Sequence, residues 1–334
     1  MTLAIPTRRR FLGILATSSA LLSTAPLQAA LRNPPLEPVT WRGIALGADA
    51  QLQILHPDRA HADALVRMAV AEVERLERIF SLYREDSALV RLNRTGRLPL
   101  PPAELAELLT RALAFSEQTQ GRFDPSVQPL WDLYALQVRS GRPLPPEPTA
   151  LHEALARVDY RAVRLDDDAI VLERPGMALT LNGIAQGYIT DRVTELLHAH
   201  GLDRALVDMG ETRALGAPGD ERPWRAGIAN PDEPGQLLQT LPLDGARQAL
   251  ATSGGYGTPL DPAGHFTHLF NPASGSAVPL WRSVTVRAAD ATTADALSTA
   301  FSHMPEAEIR GIVARLPIQA WLLPAGSRTL MHLG

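Results

Sequence analysis

Residues 178–209 read ALTLNGIAQGYITDRVTELLHAHGLDRALVDM, and this stretch sets the fold class. Ala178 to Leu181 is a short run of strand character, and Ala205 to Met209, apolar but for Asp208, is a run suited to a strand buried on both faces. Between them, Ile184 to His200 carries helical periodicity and stops at Gly201, the residue type that most readily closes a helix in the left-handed conformation. Upstream, Leu65, Met68, Ala69, Val73, Leu76 and Phe80 fall at helical spacing with Glu and Arg between them, which predicts an amphipathic helix over about 60–80. Pro101 and Pro102 open a second helix through Phe115, with Leu105, Leu108, Leu109 and Ala112 on one face. A Pro-rich loop from Gly141 to Pro148 precedes a short helix over 151–158, and Ala162 to Leu165 and Ile170 to Leu172 read as strands. Downstream come a strand at Val284 to Val286, helices over 292–304 and 306–316, and a strand at Gln319 to Leu323. Helices and strands mixed without regular βαβ alternation predict an α+β fold, mixed sheets flanked by helices.

The 334 residues are 45% hydrophobic and 20% charged, a globular composition that excludes disordered and collagen-like chains. The chain holds no Lys and no Cys, so all 32 of its basic residues are Arg. These two absences remove Schiff-base and P-loop lysine chemistry, thiolate nucleophiles, disulfides and cysteine-ligated metal sites. Carboxylate, hydroxyl, imidazole and backbone chemistry remain. A net charge of -4, with Arg spread along the chain, makes no electrostatic case for a nucleic-acid partner.

The first thirty residues read as an address. Thr7-Arg8-Arg9-Arg10-Phe11-Leu12 is a twin-arginine pattern, followed by an apolar run to Leu22 and small residues ending at Gln28-Ala29-Ala30. An uncleaved anchor is the alternative, but the run is shorter than the roughly 20 apolar residues that span a bilayer. Cleavage would remove three Arg and no acid, taking the charge from -4 to -7. The organisation expected is a signal peptide over 1–30, a Pro-rich linker over 31–38 and one domain over 39–334, exported folded to the periplasm.

Several clusters could carry chemistry. Asn182 to Gly187 lies between a strand and a helix, where free backbone N–H groups and the helix dipole favour an anion, or where glycine serves backbone geometry alone. Ala251-Thr252-Ser253-Gly254-Gly255-Tyr256-Gly257 reads as a phosphate cradle or a hairpin turn. Asp295 and Thr299, four apart on a helix with Ser298 beside them, present hard oxygens suited to Mg²⁺; the alternative is an acid favoured by the helix dipole and a Thr bonded back to its own helix. His268 beside a phosphate loop suits a general base, and with His265 it could also begin a zinc site. His198 and His200 read as surface residues at a helix C-terminus.

Taken in order and spacing, these clusters resemble the ApbE family of FAD:protein FMN transferases, from about Trp41 to Gly334. The resemblance is carried by Phe80-Ser81-Leu82-Tyr83-Arg84-Glu85-Asp86-Ser87 with Leu92-Asn93, Gly121-Arg122-Phe123-Asp124-Pro125 with Gln128-Pro129-Leu130, the Gly183 to Asp191 segment, Trp224 to Ile228, Ala251 to Gly254, His268 to Gly275, and Ala294-Asp295-Ala296-Leu297-Ser298-Thr299. Leu181 to Gly187 and Gly210-Glu211-Thr212-Arg213-Ala214 resemble more narrowly the NosX-type branch tied to nitrous-oxide respiration. The resemblance implies an ApbE-like, T-fold-related architecture and transfer of FMN from FAD to a Thr or Ser hydroxyl of an acceptor flavoprotein, with release of AMP. It implies Mg²⁺ held by Asp295, Thr299 and the Gly183 carbonyl, with Ser298 beside them, and His268 as base. It further implies FAD contacts from Leu46, Tyr83, Arg122, Phe123, Asp124, Thr180, Gln186 and Phe270. The family pattern has an acid at Thr180, Gly at Asn182, Lys or Glu at Gln186, Asp at Glu211 and Asp at Asn271; the departures at Thr180, Gln186 and Asn271 raise a second expectation, a flavin-binding maturation accessory without transferase activity.

Overall fold

The computed structural model describes residues 38–218, 222–244 and 248–334. The signal and linker expected over 1–38 lie outside the described residues, apart from Pro38. Strands β1 (Val39–Ala45) and β2 (Ala48–Ile54) form a hairpin whose two-residue turn puts Leu46 at φ +47° and Gly47 at φ +80°. Helix α1 (Arg59–Phe80) starts on Asp58, whose carboxylate accepts from Ala60 N and His61 N, and buries Leu65, Ala69, Val73, Leu76 and Phe80. Helix α2 (Ala88–Thr95) closes on Gly96 in the left-handed region. There follow β3 (Arg97–Pro99), α3 (Ala103–Gln118), α4 (Gln128–Arg139), α5 (Pro148–Leu155), β4 (Val163–Leu165) and β5 (Ala169–Leu172), the three short strands pairing in the order β3-β5-β4. The second half runs α6 (Ala185–Ala199), β6 (Ala205–Asp208), β7 (Thr212–Leu215), β8 (Trp224–Ala229), β9 (Leu237–Leu243), β10 (Ala249–Gly254), β11 (Trp281–Ala288), α7 (Ala291–Phe301), α8 (Glu306–Val313), β12 (Gln319–Pro324) and β13 (Met331–Leu333).

One eight-stranded sheet, antiparallel throughout and ordered β1-β2-β6-β7-β10-β11-β12-β13, organises the molecule. Alternate residues of its strands enter different cores. Ala205 and Val207, Ala251, and Ala320 and Leu322 pack with α1, α6 and α7, whereas Leu206, Leu250 and Trp321 pack beneath the separate β8–β9 hairpin with Trp224, Ile228 and Leu241. Burial on both faces explains why Ala205, Leu206 and Val207 read as an apolar run before Asp208. A third, smaller core of Leu130, Tyr134, Ala154, Phe270 and Ala277 joins α4 and α5 to the irregular segment before β11.

The α+β reading agrees with this architecture, and two local readings are corrected. Residues 178–181 form no ladder. The Asn93 side chain takes the place of a neighbouring strand, donating through Nδ2 to Leu179 O at 2.8 Å and accepting from Leu179 N at 2.7 Å, while Thr180 N donates to Pro125 O. Ala251 to Gly254 is not a turn: it completes β10, paired with β11 from Ala249 opposite Ala288 to Gly254 opposite Ser283, and only Gly255–Gly257 turn away. Gly254 and Gly255 lie where the chain runs close against side chains, the Tyr256 ring at Gly254 and Thr267 at Gly255.

Candidate active site

Helices α6 and α7 cross at a contact that only glycine allows. A Cβ on Gly187 would lie 2.3 Å from the Ala291 carbonyl oxygen. At this separation each helix caps the other. Asp295 Oδ2, one turn into α7, accepts from Gly187 N at 3.0 Å in the first turn of α6. Asp191, in the second turn of α6, accepts from Ala291 N at 2.8 Å, from Thr292 N at 2.9 Å and from the Thr292 hydroxyl at the start of α7. Burial pushes the Asp191 carboxyl up, and the Arg213 guanidinium 2.8 Å away works against that shift. Each carboxylate thus meets the positive end of a helix dipole, where orphan N–H groups need an acceptor.

This brace places the oxygens of Thr299, Ser298 and the Gly183 carbonyl. The Thr299 hydroxyl does not bond back to its own helix. It donates to the Gly183 carbonyl at 3.4 Å and lies 3.3 Å from Ser253 Oγ, which is itself 2.8 Å from Ser298 Oγ. A Cβ at Gly183 would meet Thr299 Oγ1 at 2.9 Å, so glycine there keeps the carbonyl close. One carboxylate one turn from the hydroxyl, two further hydroxyls and a backbone carbonyl form a hard-oxygen set that fits Mg²⁺, an ion that takes few protein ligands and completes its shell from water and phosphate. Among the described residues no three His, Cys, Asp or Glu side chains are grouped to hold a metal, and His265 is exposed while His268 is buried.

A cleft opens beside these oxygens. It is lined by Gly183 and Thr299, by His268 and Phe270, by Thr180 and by Arg122, Phe123 and Asp124, which brings eight of the twelve expected site residues to one place. The sequence reading did not select Val127, Gln128, Trp131, Asn182, Leu269 and Pro272, which complete the lining. Gln128 stood inside a quoted motif, and its amide is held by Asp132 at 2.8 Å on the next turn of α4; burial raises that carboxyl. The Trp131 ring meets Phe270 edge-on at 6.4 Å. Together they give the cleft an aromatic wall with an amide beside it, suited to a planar ring system.

Several of the expected residues, in the lining and outside it, have other partners in this structure. Asp124 lines the cleft, yet its oxygens accept from Ser126 N, Ser126 Oγ and Tyr160 N, so it fixes the loop; burial raises its carboxyl. Arg122 pairs with Glu308 through both Nε and Nη2, at 3.2 and 3.0 Å. Leu46, Tyr83, Gln186 and Asp295 fall outside the lining. Leu46 is buried in the β1–β2 turn, where its N–H donates to Glu77, and Tyr83 is 62% exposed in the loop after α1. Gln186 is 1% exposed and neither polar atom of its amide has a hydrogen-bond partner; it packs against Gly210, where a Cβ would stand 2.6 Å from Nε2.

The fold and the cleft define a class: an α+β protein with a set of hard oxygens beside an imidazole and an aromatic wall, suited to a phosphate-bearing ring compound. The chain belongs to the ApbE family, whose pattern matches residues 46–322. It is 36% identical over 261 residues, 71% of each chain, to a FAD:protein FMN transferase of Treponema pallidum, and 24% identical over 322 residues to one of Klebsiella pneumoniae, covering 94% of this chain and 92% of that one. Among solved structures it is similar to an ApbE protein of Thermotoga maritima, with a TM-score of 0.78 and 27% identity over 89% of this chain and 97% of that one. It is also similar to the apo form of the Pseudomonas stutzeri flavinyl transferase ApbE, with a TM-score of 0.75 and 25% identity over 89% and 94%.

Proposed function

We propose that this protein is an FAD:protein FMN transferase that moves FMN from FAD to a Thr or Ser hydroxyl of an acceptor flavoprotein, using Mg²⁺. The observation that carries the reading is the meeting of Gly183, Thr299 and His268 in one cleft, with Asp295 one helical turn from Thr299. In the reaction the acceptor oxygen bonds to the FMN-side phosphorus, the bond from that phosphorus to the bridging oxygen breaks, and AMP leaves with the electron pair. His268 receives the hydroxyl proton at an imidazole nitrogen. Asp295, Thr299 and the Gly183 carbonyl would hold Mg²⁺, which when bound neutralises charge on the pyrophosphate. Gln128, Trp131 and Phe270 orient a ring, and the short, braced helix starts keep the oxygens in place before substrate arrives.

The twin-arginine pattern at Arg8 and Arg9 supports transfer in the periplasm. The resemblance of 181–187 and 210–214 to the NosX-type branch supports a membrane-bound respiratory flavoprotein, of the nitrous-oxide-reduction type, as acceptor. A second reading, a flavin-holding accessory protein, is favoured by the neutral, unpartnered Gln186. Incubation with FAD, Mg²⁺ and candidate membrane flavoproteins separates the two. Transfer leaves flavin fluorescence on the acceptor after acid denaturation, whereas binding of FAD without any covalent product supports the accessory role.

A further inference from the structure

Where the end of β10 meets α7, the core turns polar. Ala251 packs among apolar residues of the main core, and two residues further along the same strand face Ser253, 1% exposed, meets the fully buried Ser298 of α7. Alanine at either place would pack without burying a hydroxyl, so packing alone does not account for the pair. The strand that carries Ser253 is held on both sides of it, by Thr252 N donating to Glu211 Oε2 at 3.2 Å and by Gly254 lying opposite Ser283 in the β10–β11 ladder.

A hydroxyl has one hydrogen to give, and this sets a direction. Ser298 Oγ donates to the Asp295 carbonyl at 3.0 Å, an oxygen that only accepts. With that hydrogen spent, the 2.8 Å contact between Ser298 and Ser253 requires Ser253 to donate. Ser253 Oγ is then an acceptor toward the Thr299 hydroxyl, 3.3 Å away. Thr299 thus has two acceptors for one hydrogen, Ser253 Oγ and the Gly183 carbonyl at 3.4 Å. We propose that Ser253 and Ser298 are positioning residues, a hydroxyl relay that draws the Thr299 hydrogen toward β10 and frees a Thr299 lone pair for the cation. The inference rests on the reading of Asp295, Thr299 and the Gly183 carbonyl as the Mg²⁺ set. A cation at the Gly183 carbonyl repels a hydrogen aimed at the same oxygen, which leaves Ser253 Oγ as its acceptor. A neutral hydroxyl ligates only through a lone pair, and a fixed acceptor for its hydrogen both orients that lone pair and enriches it. Asp295 therefore serves twice, its carboxylate toward the cation and its backbone carbonyl as the end of the relay.

The test titrates Mn²⁺, a paramagnetic substitute for Mg²⁺, into the full-length protein with and without FAD, and counts the free ion by electron paramagnetic resonance. Wild type is compared with Ser253→Ala, Ser298→Ala, Thr299→Ala and the double variant Ser253→Ala/Thr299→Ala. The expected result is a Kd for Mn²⁺ weakened about three- to tenfold in Ser253→Ala, the scale of one neutral hydrogen bond, and a change in the same direction in Ser298→Ala. In the Thr299→Ala background Ser253→Ala should cost nothing further, because the relay acts through Thr299. Should Ser253→Ala not fold, Ser298→Ala, on the other element, carries the same expectation. Wild-type affinity in the alanine variants overturns the proposal. So does a further loss from Ser253→Ala in the Thr299→Ala background, which would make Ser253 a ligand in its own right. A wild type that binds no Mn²⁺ under either condition refutes the cation set, and the relay with it. A wild type that binds Mn²⁺ and transfers nothing defeats the transferase reading alone, and the double variant still decides the role of Ser253.

Discussion

Gly187→Ala tests the helix crossing on which the site is built. The added Cβ would stand 2.3 Å from Ala291 O, 2.6 Å from Ala291 C and 2.8 Å from Thr292 N, all backbone atoms that cannot swing aside. Relief requires α6 and α7 to part by roughly 1 Å, and overpacking of this kind costs about 1–3 kcal/mol. Parting also stretches the Asp295 bond to Gly187 N and the Asp191 bonds to Ala291 and Thr292, charge-assisted contacts worth about 1.5–3 kcal/mol each when intact. Helix propensity returns about 1 kcal/mol at most. The net expectation is a loss of about 3 kcal/mol from a total of roughly 5–15 kcal/mol. In urea this lowers the unfolding midpoint by about 1 M for a slope near 3 kcal/mol/M. Gly311→Ala is the control: it sits inside α8 with nothing within 4 Å of its Cβ and should raise the midpoint slightly. A Gly187→Ala protein with an unchanged or higher midpoint would refute the argument that the crossing requires glycine.

Asp295→Ala should abolish transfer and the Mg²⁺-dependent rise in Tm produced by FAD, whereas Thr299→Ala should reduce both less, because water can replace a neutral ligand. Gln186→Leu, which removes a buried unpaired amide, should stabilise the FAD-free protein by about 1 kcal/mol in urea unfolding and weaken FAD binding measured by calorimetry. His303 titrates at about 4 folded against 6.5 unfolded, so the unfolded chain binds more protons between those values and stability rises with pH across that window. As pH falls from 6.5 to 4 the loss from this group should reach about 3 kcal/mol, and His303→Leu should remove that part of the slope. Asn93→Ala should cost about 2 kcal/mol by leaving Leu179 N and O without their partner, and Asn93→Asp should not restore it, since a carboxylate cannot donate to the carbonyl.

Elements with a single period were legible in the sequence. The α1 stripe from Leu65 to Phe80 and the buried run of β6 lie where the spacing put them, because each faces a uniform environment over its length. The β8–β9 hairpin and β10 were not, because their residues answer to contacts far away in sequence: Leu250 to the hairpin, and Gly254 to a ring that folds back over it. Residues 178–181 misled for the same reason. Their hydrogen-bond partner is a side chain on α2, and alternation of apolar residues carries no information about which group supplies the hydrogen bonds. At the site, Asp295 and Thr299 could be chosen because their spacing alone puts them on one helix face.

The structure also separates the departures from the family pattern by what each does locally. At Asn271 the side-chain oxygen accepts from Ala273 N and Ser274 N, a turn an Asp would close in the same way, so the neutral residue loses nothing there. Thr180 lines the cleft and accepts from Asn182 N through its hydroxyl, so it keeps the shape of the turn leading to Gly183. Glu211 is fully buried and receives Thr252 N at 3.2 Å, which ties the β7 end to the strand carrying Ser253. Each of these substitutions is absorbed by a hydrogen bond of its own. Gln186 differs: its amide is enclosed, unbonded and pressed against Gly210. Gln186 is therefore the departure whose local role is open to test, and FAD binding to Gln186→Leu is the measurement that decides whether its amide serves the ligand.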